Sequence, residues 1–312
     1  MTRIDHRDAI PEGLRGAILA LGNFDGFHLG HQAVVAEAVE WARREGRPAI
    51  VATFDPHPVR HFAPHVPWFR LTQLDQREEL FVAAGAAAML VFHFGDALAA
   101  TSAHDFVGKL LAGHLGVAGV VTGEDFTFGK DRGGNVALLA EEGARHGIAA
   151  RTVGPVHDGG LVVSSSRIRD ALKAGDCETA TRLLTRPFAV RGTVQHGDKR
   201  GRAIGYPTAN LDLGTYLRPR YGIYAVTGRV LTPGERLIGA ANLGIRPSFD
   251  PPKELLEPYF FDFAGELYGR EIEVALHHFL RPEARFDSLE ALKAQMAEDC
   301  TRARELLSAA PQ

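Results

Sequence analysis

Cysteine is almost missing from this chain: Cys177 and Cys300 are the only two in 312 residues. They form neither a zinc spacing nor a disulfide framework, the pattern of a protein kept in a reducing compartment. Apolar runs of bilayer-crossing length are missing too. The stretch from Met1 to Ile10 is charged and lacks the apolar core of a signal peptide. Neither sign of charge dominates, since 35 Lys and Arg stand against 38 Asp and Glu for a formal net charge of -3. A general nucleic-acid binder needs a basic surplus. These absences predict a soluble, cytoplasmic protein with neither nucleic acid nor membrane as a partner, and they leave self-association open. What is present is length for two domains and, at 45% hydrophobic residues, enough apolar material for their cores.

The chain is organised around Leu21-Gly22-Asn23-Phe24-Asp25-Gly26-Phe27-His28-Leu29-Gly30-His31. It follows the apolar run Ala17 to Leu21 and leads into the apolar-periodic segment Ala33 to Trp41, so it reads as strand, glycine-rich turn and helix. Gly22, Gly26 and Gly30 permit close ligand approach or positive φ. His28 and His31 lie three apart, which places them on one face at a helix start. Free N–H groups and the positive dipole end suit a phosphate there, and two imidazoles can donate to its oxygens. A metal site would need a third ligand, and none stands at ligand spacing.

The first half then alternates. Strands are expected at Ala17–Leu21, Pro48–Phe54, Ala88–Phe92, Gly119–Thr122 and Ala149–Val153. Helices are expected at Gln32–Arg44, Leu74–Ala84, Ala103–Leu115 and Asn135–His146. This βαβα order predicts an α/β fold, with a parallel sheet covered by helices on both faces. The chemically suggestive residues fall at the strand ends, where such sheets bind ligands: His28, His31, Asp55, His57, Asp125 and the segment Ser164-Ser165-Ser166-Arg167-Ile168-Arg169. The prolines of Asp55-Pro56-His57-Pro58 must leave the strand. The serines can cap a helix, and Arg167 and Arg169 supply fixed positive charge. Two short helices follow as a linker up to Pro187.

Beyond Pro187 the texture changes to short β-rich segments: Phe188–Val194, Thr208–Leu211, Gly222–Gly228, Leu237–Leu243, Leu256–Phe263 and Glu271–Phe279. Their close spacing predicts a small antiparallel barrel. A terminal helix, Ser288 to Leu307, should bury Leu289, Leu292, Met296 and Cys300. In Gly201-Arg202-Ala203-Ile204-Gly205-Tyr206-Pro207-Thr208-Ala209-Asn210, the glycines Gly201 and Gly205 give a loop able to cradle phosphates. Thr208 and Asn210 are oxygen donors two apart on an extended chain, an arrangement that suits Mg²⁺ carried by ATP. Glu257, Tyr259 and Phe261 should share one strand face. Pro258 removes a ladder donor, so Glu257 is expected at a strand start or edge.

As whole strings these segments resemble the bacterial bifunctional riboflavin kinase/FAD synthetase family. Gly22-Asn23-Phe24-Asp25-Gly26 with His28, Gly30 and His31 is similar to its GNFDG and HxGH signatures. Thr53 to Pro58 resembles TFxPHP, Gly123 to Gly129 resembles GxDFxFG, and Val163 to Arg169 resembles the SSTRIR string with Ser166 in place of threonine. Gly201 to Asn210 resembles GxxxGxPTAN, and Asn242 to Phe249 resembles NxGxxPTF. The resemblance implies a Rossmann-like nucleotidyltransferase domain over residues 1–186, linker included, and a riboflavin kinase β-barrel with a C-terminal helix over 187–312. It implies ATP and phosphate contacts at Gly22, Asn23, Phe24, Asp25, Gly26, Gly30, Ser164, Ser165, Ser166, Arg167, Arg169, Gly201 and Gly205. His28 and His31 would be catalytic in FMN adenylyl transfer, and Glu257 would be the kinase base. Flavin contacts would come from His57, Asp125, Phe126, Phe128 and Arg281, and Mg²⁺ contacts from Thr208 and Asn210. Riboflavin, FMN and ATP would be substrates, with FMN and FAD as products rather than prosthetic groups.

Overall fold

The computed structural model describes residues 2–196, 205–232, 234–246 and 253–308. They form two compact units, one of Met1–Pro67 with Leu74–Ser164 and one of Trp68–Gln73 with Ser165–Gln312.

The first unit runs through β1 Thr2–Asp5, β2 Ile18–Leu21, α1 Leu29–Glu45, β3 Ala49–Asp55 and α2 Pro58–Phe62. It continues with α3 Leu74–Ala83, β4 Ala88–His93, α4 Asp96–Ala99 and α5 Ala103–Asp105, which runs on as a π-type helix over Phe106–His114. Then come β5 Gly119–Gly123, α6 Val136–Arg145, β6 Ala149–Val153 and the short hairpin of β7 His157–Asp158 and β8 Leu161–Val162. The six larger described strands pair in the order β1-β4-β3-β2-β5-β6, and every pairing is parallel.

A parallel sheet must be covered on both faces, and the alternation along β2 does this. Leu19 and Leu21 enter a core with Ile50, Phe54, Phe92 and Phe106. Ile18 and Ala20 enter another with Val35, Trp41, Phe81 and Met89. The chain moves outward from β2 through β3 to β4 and returns to β5 on the other side of β2. That reversal makes the carboxyl ends of β2 and β5 the switch point where a ligand crevice opens.

The expected alternation is present, with additions that include β1, α2, α4 and the β7–β8 hairpin. β1 is a sixth strand on the sheet edge. It is short and charged, with only Ile4 buried, which is how edge strands resist further pairing and why it carries no hydrophobic signal. Past the prolines the chain turns directly into α2, with Pro58 in the first helical turn where its missing N–H costs nothing.

The second unit contains α7 Ser165–Ala174, α8 Cys177–Leu184, β9 Phe188–Thr193, β10 Leu211–Asp212, β11 Gly222–Val230, β12 Arg236–Arg246, β13 Lys253–Phe260, β14 Glu271–Arg281 and α9 Leu289–Ser308. The strands pair antiparallel in the order β10-β13-β12-β11-β14-β9. Beyond β9, Gln195 N donates to Asn210 O at 2.9 Å, so the two ends of the sheet meet in a nearly closed barrel. The segment Trp68–Gln73 belongs to this unit: Leu217 N donates to Arg70 O at 2.8 Å, and Gln73 Nε2 to Thr215 Oγ1 at 2.9 Å.

α9 differs from expectation in its buried face. Leu292, Met296 and Cys300 are half-buried, and Cys300 packs against the core, but Leu289 is 48% exposed, and the fully buried positions are Asp299 and Ala303. Ala303 meets Ala225, Ala240 and Phe261, and Asp299 takes both arms of the Arg281 guanidinium at 2.9 and 2.7 Å. A polar anchor therefore stands beside the half-buried apolar stripe.

Packing at the amino ends of β2 and β5 is tight. A Cβ on Gly119 would lie 2.4 Å from the Trp41 ring and 2.9 Å from Ile18 Cδ1. Gly119→Ala should therefore destabilise the first unit by about 1–3 kcal/mol, read as a lower denaturant midpoint at unchanged slope.

Candidate active sites

β2 delivers the chain into the turn Gly22–His28. Three positive φ values shape it: +48° at Phe24, +90° at Gly26 and +46° at Phe27. Only Gly26 takes such a conformation without strain, and two phenylalanines held there mark a turn over-determined by its surroundings. Those surroundings are aromatic. Phe24 and Phe27 meet the Phe81 ring edge-on at 5.9 and 5.2 Å, and Phe24 meets the His31 ring at 5.3 Å.

His28 is the N-cap of α1, which begins at Leu29 rather than Gln32. Its Nδ1 accepts from His31 N at 3.4 Å, and the two rings stack at 3.6 Å and 18°. An accepting Nδ1 leaves Nε2 as the protonated, donating nitrogen of the neutral ring. A Cβ on Gly30 would stand 3.3 Å from the His28 ring and 3.6 Å from Val163 O, so glycine there leaves the ring its place. Asp25 is 2% and His28 5% exposed. The turn thus presents a helix N-terminus and a fixed imidazole pair, the equipment for holding an anionic group.

The proposed flavin contacts of this unit lie at the same strand ends. His57 caps α2 by accepting from Val59 N at 3.2 Å. Asp125 is exposed, its Oδ1 3.1 Å from where a Gly123 side chain would begin. Phe126 and Phe128 stack at 5.8 Å. From Phe128 a chain of rings runs through Phe106, Phe92, Phe54 and Phe94 to Phe62, each step 5.2–6.0 Å. Phe62 is 69% exposed. The aromatic row joins two segments that look separate in the sequence.

Ser164 is the last residue of the first unit, and Ser165, Ser166, Arg167 and Arg169 form the first turns of α7 in the second. Arg169 Nε donates to Phe69 O at 2.9 Å, and its guanidinium lies over the Phe69 ring.

In the second unit Gly201 lies outside the described residues, and Gly205 occupies an exposed turn at φ +91°. Ala209 N donates to Pro258 O at 2.9 Å. This bond continues the register set by Leu211 opposite Leu256, so Asn210 falls opposite Glu257 and Thr208 opposite Tyr259. On the other side of β13, Glu257 pairs with Asn242. Asn210, Glu257 and Asn242 therefore form one row across three neighbouring segments.

Glu257 does not start its strand; it is mid-β13. Pro258 is tolerated because its carbonyl, and hence its missing N–H, faces the 208–210 segment. That segment asks for one bond only, while the β12 ladder stays intact. Tyr259 and Phe261 do contact one another, at 5.8 Å, with Asp262 turned out at φ +56° to meet Arg304 at 2.9 Å.

Arg246 clamps the Glu257 carboxylate with Nε and Nη2. Glu283 in turn accepts from Asn242 Nδ2 at 3.2 Å and from Arg246 Nη1 at 3.4 Å. Asn242 Oδ1 is buried with no partner among the described residues. Sequence reasoning does not single out Asn242, Arg246 or Glu283 as a site residue. Asn242 and Arg246 sit in the segment resembling NxGxxPTF, but nothing local marks Glu283, which arrives from beyond β14. Arg281 is committed to Asp299 through a two-armed pair.

Among the described residues no cluster of three or more His, Cys, Asp or Glu is placed to hold a metal. Thr208 and Asn210 offer two hard oxygens, the donor set for Mg²⁺ that keeps its remaining positions for water and substrate phosphates.

A family model described as FAD synthetase matches residues 10–167, and one described as riboflavin kinase matches residues 184–307. The chain is 40% identical over 291 residues to the bifunctional riboflavin kinase/FMN adenylyltransferase of Escherichia coli (strain K12), covering 93% of this chain and 92% of that protein. It is 41% identical over 293 residues to the protein of the same description from Pseudomonas fluorescens, covering 94% and 93%. A crystal structure described as a macrolide-efflux protein from Streptococcus pneumoniae matches at a TM-score of 0.86 and 30% identity, over 97% of this chain and 99% of that one. Among the described residues of this chain no helix is long and apolar enough to cross a membrane.

Neither thiol is equipped as a nucleophile. Burial pushes Cys177 up to about 12 and Cys300 up to about 11, with nearby carboxylates adding to both. At about pH 8 a disulfide reagent should therefore titrate both thiols in denaturant and neither within the first minutes in native buffer.

Proposed function

The chain belongs to the bifunctional riboflavin kinase/FMN adenylyltransferase family, and from that premise we propose how its residues divide the work. It is an enzyme of flavin-cofactor biosynthesis that phosphorylates riboflavin to FMN and then adenylylates FMN to FAD. The observation that carries this is the 40% identity along 93% of the chain, which spans both units.

The adenylyltransferase module is assigned to residues 1–186 and the kinase module to 187–312. The first family model ends at residue 167 and the second begins at 184, which leaves most of α7 and α8 as a linker between assigned regions. The protein is proposed to work in the cytoplasm on Mg-ATP and free flavins.

In the second module the ribityl 5′-hydroxyl oxygen attacks the γ-phosphorus of ATP and ADP leaves. Glu257 takes the hydroxyl proton, and Arg246 keeps its carboxylate aimed across the strand row. Thr208 and Asn210 would hold Mg²⁺, which would supply charge neutralisation on the phosphates. Gly201 and Gly205 belong to the loop that receives those phosphates, and Arg281 is assigned to the flavin side.

In the first module an FMN phosphate oxygen attacks the α-phosphorus of ATP, the bond to the β-phosphate breaks and pyrophosphate leaves. No protein nucleophile takes part. His28 and His31 donate to oxygens on which charge accumulates, at the N-terminus of α1. Gly22, Asn23, Phe24, Asp25, Gly26 and Gly30 shape the turn that receives the nucleotide. Ser164, Ser165, Ser166, Arg167 and Arg169 are assigned to ATP phosphates. His57, Asp125, Phe126 and Phe128 are assigned to the flavin, whose ring would continue the aromatic row.

Two variants separate the activities when the pure protein is given riboflavin and Mg-ATP and the flavins are resolved by chromatography. His28→Ala with His31→Ala should stop FAD formation and leave FMN formation intact; loss of both products would contradict independent modules. Glu257→Gln should lower FMN formation by about 100-fold or more while supplied FMN is still converted to FAD.

A further inference from the structure

Arg77 lies on α3 and is 1% exposed, the largest fully buried side chain described. One of its nitrogens, Nη1, donates to Thr53 Oγ1 at 2.7 Å and to Asn23 O at 3.2 Å. Thr53 Oγ1 itself donates to Asn23 O at 2.7 Å, which closes a triangle. Asn23 follows the carboxyl end of β2, and Thr53 stands near the carboxyl end of β3. A cation on a neighbouring helix therefore ties two adjacent strand ends together beneath the turn that carries the histidines.

A guanidinium is an expensive filler for this position. Its desolvation costs several kcal/mol, and an apolar side chain of similar volume would pack without that penalty. Two of the arginine's hydrogen bonds converge beneath the turn, on Asn23 O and on the Thr53 hydroxyl that itself bonds Asn23 O. From Asn23 the chain enters the positive φ of Phe24, whose ring meets His31, and His31 stacks on His28. Phe81, one helical turn after Arg77 on α3, meets Phe24 and Phe27 edge-on. α3 thus grips the turn at both ends, by a charge at Asn23 and by a ring at Phe24 and Phe27.

We infer that Arg77 is a positioning residue for adenylyl transfer, fixing the Asn23 carbonyl and through it the placement of His31 and His28; the inference rests on the reading of that turn as the adenylyl-transfer site. It acts on geometry rather than on substrate. Its loss should therefore appear in kcat for FAD formation, with KM for FMN little changed.

The test uses the full chain with FMN and Mg-ATP, and riboflavin phosphorylation by the same samples as a control. Arg77→Met should lower kcat for FAD formation by about 100-fold, the scale of an ångström-sized misplacement. Arg77→Lys, which returns a cation to the same acceptors, should recover most of the loss. Arg77→Met with kcat within about twofold of wild type and only a lower melting temperature would overturn the inference, as would Arg77→Lys no better than Arg77→Met. Should Arg77→Met fail to fold, Thr53→Val decides. It keeps the volume and removes the hydroxyl, so a drop of about tenfold in kcat supports the inference and an unchanged kcat overturns it. Wild-type protein that makes no FAD would overturn the adenylyl-transfer reading itself, and the inference with it, a result distinct from every variant outcome.

Discussion

Burying both faces of a parallel sheet is the constraint that shapes the first unit. It demands strands apolar on both sides, and β2 supplies four consecutive buried residues, Ile18 to Leu21. It demands helices above and below, and these force each strand to end on the same edge. Once the order reverses between β4 and β5, that edge opens beside β2, and the segment leaving β2 must line the opening. The turn at Gly22–His28 is therefore placed by topology. Its shape is a separate matter: two phenylalanines in left-handed backbone are held by rings from α1 and α3.

The second unit solves a different problem. A barrel has no room for a strand-interior proline unless the lost donor faces a gap in the ladder. The 208–210 segment provides that gap, because only Ala209 bonds to β13 there. The same irregular pairing sets Asn210 opposite Glu257. Proline and site are thus linked: the place that tolerates Pro258 is the place where polar side chains from three segments align.

Periodicity makes the helices and buried strands legible to within a few residues, because α1 and β2–β5 are long or strongly apolar. β1 escapes because an edge strand of four residues with one buried side chain has almost no pattern. The histidine pair can be read from spacing, and its stacking follows from the helix start. Arg77 leaves a faint signal: Leu74, Arg77, Phe81 and Ala84 share helical spacing, and a cation inside an apolar stripe asks for a partner. The row through Asn242 and the clamp by Arg246 and Glu283 depend on strand register and on a segment far along the chain, which local sequence does not encode. For α9, helical spacing points to an apolar stripe, whereas the barrel presents Arg281, and the helix answers with Asp299.

The segment Trp68–Gln73 has a consequence for synthesis. Among its partners, Thr215 to Leu217 leave the ribosome well over a hundred residues later, and β9 waits similarly for β14. The sheet of the first unit can assemble from early-made chain while this short stretch still awaits Thr215 to Leu217. Barrel closure, by contrast, rests on pairings of high sequence separation, the kind that form late and slowly. During translation the nascent chain therefore carries an extended Trp68-Phe69 strap waiting for its half of the molecule to be made.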